Sequence, residues 1–264
     1  GDVRGVGVHV AIAAGQVVTL GGTVVGKYPV VCEGTATNPC WLMGSPGLRL
    51  TGEIIIKGTY GFVDRITVAG AHGLHLSGDH LVIRYSDISG TLTDRQTAGL
   101  GLSGTNIVAY KNTVHHHGDV NAPDDQDAHG ISVSRGSRAI WILENECWAN
   151  SGDGINCNPY PYDASGLNAI SYVFIGGNVS HDNKQTGIWA KQSTDIIVSE
   201  NEVYGHHASN SSRGDGMGYQ YSTNRIWYLK NTIHDNDVGI GVSEAFDNGN
   251  GPISGCFIVG NTIL

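Results

Sequence analysis

The residues with the most chemistry to offer lie between 115 and 129, where the chain reads His-His-His-Gly-Asp-Val-Asn-Ala-Pro-Asp-Asp-Gln-Asp-Ala-His. Asp127 and His129 close that run. Asp153 and Asp215 follow, each between two glycines, with Lys191 and Arg213 among them. A histidine titrates near neutrality and suits general acid–base work when carboxylates orient it. A lysine neutralises an anion or, with its charge suppressed, takes a proton. Such a set fits removal of a proton alpha to a carboxylate, where the acid must be neutralised before a base can act. Asp119, Asp124 and Asp125 are hard oxygen donors of the kind calcium takes, and a solvated acidic turn has the same composition. The His115–His117 run reads as a surface loop.

These residues are distant in sequence, so something must stack them. Seven segments share one pattern: glycine, then apolar residues alternating with small or polar ones. They begin at Gly73, Gly99, Gly130, Gly154, Gly187, Gly216 and Gly239, 23 to 33 residues apart. Apolar runs ending in asparagine fall between them, such as Trp141–Asn145, Ile196–Asn201 and Trp227–Asn231. Period-2 alternation over about five residues means short half-buried strands, and units this small must stack to bury a face. The expected fold is all-β, a right-handed parallel β-helix of about eight or more coils. Glycine would supply the permissive backbone at one corner, and stacked asparagine amides would form a ladder at another. Residues 1–50 fit the repeat poorly and read as an N-terminal cap with the first strands; residues 51–264 read as one continuous β-helix.

Composition agrees. Glycine accounts for 39 of 264 residues and only 15% are charged, while 40% are hydrophobic, which excludes a disordered chain. No 18-residue apolar stretch is present, so no membrane partner is expected. A net charge of -9 argues against nucleic acid, yet leaves room for a basic cleft that takes a polyanionic sugar. Cys32 and Cys40 close a short loop that a disulfide would staple. The chain ends in mid-coil at Leu264, a surface through which an oligomer could form.

Aligning the glycines sets the register. The central coils then place His129, Asp153, Asn156, Asn158, Trp189, Lys191, Asp215 and Gln220 on one surface, where the outer coils carry Ser, Gly and Ala. Asn156, Asn158, Gln220, Lys191 and Arg213 are candidates to neutralise a bound carboxylate, Trp189 to stack on a sugar, and Tyr160 to bind substrate. Tyr160, Tyr162, Tyr219, Tyr221 and Lys191 are candidates for a second acid–base group. His129 beside a glycine corner, and Asp153 and Asp215 in Gly-Asp-Gly, also suit turn formation.

Glycine-cornered coils with an asparagine series resemble the pectate-lyase-like parallel β-helix superfamily over roughly residues 50–264. Asp127-Ala-His129 with Asp153 one coil on resembles the Asp-x-His…Asp arrangement of alginate (mannuronan) C5-epimerases, with Ala128 where that motif has proline. The resemblance implies an acid–base role for His129, with Asp127 and Asp153 supporting it. It implies a secreted or periplasmic enzyme that abstracts the C5 proton of uronic acid residues, as a lyase or epimerase, on an anionic polysaccharide. No cofactor is required, with calcium the one ion the acidic run suggests. The alternatives are a β-helix glycoside hydrolase using Asp127, Asp153 and Asp215, or a non-catalytic polysaccharide-binding or adhesin solenoid.

Overall fold

Each short strand has one apolar side and no second layer within its own coil to cover it, so burial requires coil upon coil. The computed structural model describes residues 10–70, 72–162, 169–243 and 254–264, and every named strand in it pairs in parallel. Each coil has three faces. The first carries the glycine pattern, as in Ala128–Ser134, Ile155–Asn158, Ile188–Lys191, Asp215–Gln220 and Val238–Ser243. The second includes Arg138–Leu143, Ile170–Gly176, Ser193–Ser199, Asn224–Leu229 and Ser254–Val259. The third is a ladder of ten short strands from Thr23–Val25 to Thr262–Ile263. In three coils one long strand spans the first two faces: Ile54–Asp64, Leu74–Arg84 and Thr97–Tyr110.

The early strands continue this stacking. Val10–Ala13 pairs with Tyr28–Glu33, and Val17–Leu20 with Cys40–Gly44, so the solenoid already runs through residues 10–50. Residues 1–9, the remainder of the expected cap, lie outside the described residues. The core is a column of Ile, Leu and Val, with Ile83, Ile107, Ile140, Leu102 and Val133 fully buried. The cysteines are free thiols; Cys32 and Cys40 are both buried, and burial with the neighbouring Cys40 pushes the Cys32 thiol up.

The glycine column is present, for a different reason from the expected one. Of its seven members only Gly73 has a left-handed backbone, at φ 61°. The others are glycine because a side chain would collide. A Cβ on Gly154 would sit 2.1 Å from Ser180 Oγ, and one on Gly187 2.2 Å from Val203 Cγ1. The left-handed corner is filled mostly by other residues, including Lys111, Glu144, Glu200 and Lys230, each just before a ladder asparagine.

That ladder runs unbroken from Asn112 through Asn145, Asn178, Asn201 and Asn231 to Asn261, with amide-to-amide bonds of 2.8–3.0 Å. Each inner Nδ2 also donates to a carbonyl of the preceding coil, and each Oδ1 accepts a backbone N–H as well, which satisfies a buried polar column completely. A second ladder, which no sequence motif announced, links His117, Asn150, Asn183, His206 and Asn236 at the next corner. It anchors the start of the 115–129 insertion against the first face.

Candidate active site

The insertion is held in place by the coils beneath it. Buried Lys184 donates from Nζ to the carbonyls of Ala122 and Asp124, both at 2.7 Å. Gln185 Nε2 donates to Asp125 Oδ1 at 2.8 Å and Asp127 Oδ1 at 3.1 Å, and Asn210 Nδ2 to the Pro123 carbonyl. Arg95 pairs with Asp124. Neither Lys184 nor Gln185 stands out in the sequence, because their role depends on a loop some 60 residues earlier in the chain.

This docking carries Asp127 to the ring of His129. His129 Nε2 lies 3.3 Å from Asp127 Oδ1, and Nδ1 lies 3.5 Å from Asp153 Oδ2. The backbone N–H of Asp153 also donates to Nδ1, at 2.9 Å. Asp153 is 2% exposed and accepts from Thr186 Oγ1 at 2.6 Å and Asn156 Nδ2 at 3.0 Å. Burial raises its carboxyl, but His129, Lys191 and these two bonds outweigh burial and hold it below the usual carboxylate value. Asp153 is therefore a buried anion under the histidine.

Two clefts open along the first face. One, of about 690 Å³, is lined by His75, Thr97, Asp127, His129, Asn158, Tyr162 and Lys191 among others. The other, of about 400 Å³, is lined by Gln185, Thr186, Arg213, Asp215, Gln220 and Tyr221 along with Asp127 and Lys191. Asp127 and Lys191 belong to both, so they mark the junction of one groove running along the solenoid axis. Among the described residues Lys191 has no ion-pair partner within bonding distance, whereas Arg213 is spent on Asp215 at 2.8 Å. Tyr162 donates from its hydroxyl to Asn158 Oδ1 at 3.0 Å. Burial, then Tyr221 and the nearby carboxylates Asp153 and Asp127, push its phenol up, so it stays a proton donor.

Several expected roles change. Trp189 lines the second cleft but is only 4% exposed, with its ring lying in the gap left by Gly218, where a Cβ would come within 2.0 Å of it, so little of the ring is left to stack on a sugar. Asn156 is fully buried and supports Asp153 instead of reaching the groove. Tyr219 is in the core, which removes it as an acid–base candidate. Tyr160 is 72% exposed at the rim, edge-on to Tyr162. The three carboxylates read as a calcium set are separated: Asp119 turns back on the Asn121 N–H, Asp124 pairs with Arg95, and Asp125 faces Gln185. Among the described residues no group of three or more His, Cys, Asp or Glu is arranged to hold a metal ion. His75, whose ring lies in the space left by Gly101, is an added member of the groove wall.

Solved structures of the same architecture are similar to the whole described chain. The chain is a right-handed parallel β-helix. The periplasmic alginate epimerase AlgG superposes with a TM-score of 0.55 at 14% identity, over 95% of this chain and 71% of that one. The A-module of the Azotobacter vinelandii mannuronan C-5 epimerase AlgE6 gives 0.54 at 15% identity, over 92% and 91%. The Dettilon tailspike protein gives 0.55 at 14% identity, over 95% of this β-helix but only 60% of the tailspike chain. At these identities the likeness concerns the fold. No protein-family model and no curated protein sequence matches the chain.

Proposed function

We propose that this β-helix is a polysaccharide-active enzyme that removes the C5 proton of a uronic acid residue in an anionic polysaccharide, as a β-elimination lyase or a C5-epimerase. One observation carries the reading: His129 is held between Asp127 and buried Asp153 in the groove wall, and Lys191, which has no ion-pair partner among the described residues, lines the same groove. The epimerases among the structures of the same fold lend this chemistry further support.

Lys191 is placed to neutralise the substrate carboxylate, which acidifies the C5 proton. His129 then takes that proton at Nε2. To do so it needs its own proton on Nδ1, donated to the Asp153 carboxylate, in place of the present acceptance from the Asp153 N–H. The two contacts differ by 0.6 Å, 2.9 against 3.5 Å, so the basic tautomer forms when the ring shifts toward Asp153 Oδ2 and solvent in the groove takes the Nε2 proton and returns one to Nδ1. Tyr162, neutral and facing the same cavity, supplies a proton to the departing 4-linked oxygen or to the opposite face of C5.

The hydrolytic alternative is weakened by the state of its acids. Asp153 is 2% exposed and held anionic, and Asp215, though it lines the second cleft, is paired with Arg213, so neither is free to serve as the protonated acid that hydrolysis needs. Alginate, pectate and glycosaminoglycans, incubated with the protein, separate the outcomes. Ultraviolet absorbance of an unsaturated uronate marks a lyase. Solvent exchange at C5 seen by NMR, without new absorbance, marks an epimerase. New reducing ends alone mark a hydrolase, and no change across the panel leaves a binding solenoid.

A further inference from the structure

The second face, away from the groove, carries a feature the chemistry does not use. One outward column along it is apolar in ten consecutive coils. Six of the ten are aromatic: Trp41, Phe62, Trp141, Phe174, Trp227 and Phe257. The other four are Val17, Val82, Val108 and Ile197. Val17 is 59% exposed, Phe257 45%, Trp141 39% and Ile197 37%. The neighbouring outward column is polar at the same coils, as Asp79, Thr105, Arg138, Ser171, Thr194 and Asn224. Solvent exposure alone therefore does not account for an apolar residue at every step of its neighbour. At ~4.8 Å per coil the stripe is straight for ~43 Å.

We propose that this stripe is a self-association surface whose occupant is a second copy of this chain, laid side by side with the solenoid axes aligned. Three properties favour that occupant. The stripe repeats once per coil along a line, and an identical solenoid presents the same spacing over the same length; such an interface is self-complementary. The rings stack on one another along the axis, Trp41 on Phe62 at 4.3 Å and Trp227 on Phe257 at 5.4 Å, both about 10° from parallel. These four rings thus turn edges outward, which suits packing against side chains more than stacking on a sugar, while Phe174 lies over Gly176 of its own strand. Taken with the columns flanking it two residues to either side, the strip is ~13 Å wide, or ~560 Å² in flat projection. That is below the ~800 Å² per partner of a standard stable interface and fits a reversible association. The groove lies on a different face and stays open in such a pair.

Sedimentation across a concentration series tests this with the intact chain. The wild-type protein is expected to associate reversibly, and more tightly as salt rises, because an apolar contact between copies of charge -9 is opposed by repulsion that salt screens. Ile197→Glu and Trp141→Glu are expected to weaken association about tenfold or more, with circular dichroism and thermal midpoint retained because both side chains face outward. Ile197→Thr, which keeps β-propensity, is expected to give a smaller loss in the same direction. Thr194→Glu, in the polar column, is expected to leave association unchanged. A wild-type protein that stays monomeric at every concentration overturns the proposal. So does association that Ile197→Glu and Trp141→Glu leave intact, which would put the contact on another surface.

Discussion

His117 and His129 stand at the two ends of one insertion, both buried and both beside an aspartate, yet their surroundings differ in kind. His117 is fully buried, with Nδ1 3.0 Å from Asp94 Oδ2 and Nε2 without a partner among the described residues. Its ring fills space that Gly90 and Gly99 leave empty; a Cβ on either would come within 2.3 Å of a ring nitrogen. Asp94 is 1% exposed; burial raises its carboxyl, but the bonds from His117 and Thr91 outweigh that and keep it anionic. His129 has an equally buried aspartate beneath it, but its other nitrogen reaches a groove wall beside Asp127. A buried His–Asp pair is therefore no sign of catalysis by itself. What matters is whether the second ring nitrogen meets free volume or packed glycine.

The sharpest way to break this comparison is to truncate both rings. His129→Gln is expected to lower turnover by about 10²–10⁴-fold on the substrate found, with the thermal midpoint nearly unchanged. His117→Ala should do the reverse. It strands the Asp94 carboxylate in the core, with an expected loss of about 3–5 kcal/mol in denaturant unfolding and normal turnover per folded molecule. Activity retained in His129→Gln would make the two histidines equivalent and end the catalytic reading. Next in size is Asp153→Asn, which removes the acceptor that favours a proton on His129 Nδ1. Its kcat is expected to fall about 10²-fold or more with KM little changed, the mark of a group acting through another.

A third histidine, His206, sharpens the contrast through pH. It occupies a rung of the second ladder between Asn183 and Asn236, and burial lowers it from 6.5 to about 4. Between those values the unfolded chain holds a proton that the folded chain does not, so stability falls as pH drops from 6.5 towards 4. The full effect is about 3 kcal/mol. His206→Asn would complete the amide ladder and remove that slope. Melting curves should show the variant gaining on wild type as the pH falls, and parallel curves would contradict the assignment. The smallest expected effect belongs to Trp189→Phe. Its ring packs over Gly218 and the residue, though it lines the second cleft, is only 4% exposed, so KM should stay within about twofold.

The glycine series and the asparagine series are both legible in the amino-acid sequence, and together they specify the solenoid and the register of its first face. The physical reason for the glycines is not legible there: the pattern suggests a backbone angle, and the fold shows close approach of the next coil. The second ladder is hidden in the sequence because histidine twice takes the asparagine place, so no single residue type repeats. His129 and Lys191 are recognisable as groove residues from the register alone, and Asp127 through the Asp-x-His pattern it forms with His129. The same register assigns Trp189 and Asn156 to the open surface, yet both are buried, since alternation says which way a side chain points but not what lies over it.

The sequence by itself determined the coil repeat, the inward and outward faces and the coils on which titratable groups gather, because these follow from a period-2 pattern and a fixed stacking distance. Only the tertiary structure decided which of those groups are open. Accessibility depends on where the 115–129 insertion docks, and that is set by Lys184, Gln185 and Asn210, residues far along the chain whose bonds no local pattern encodes.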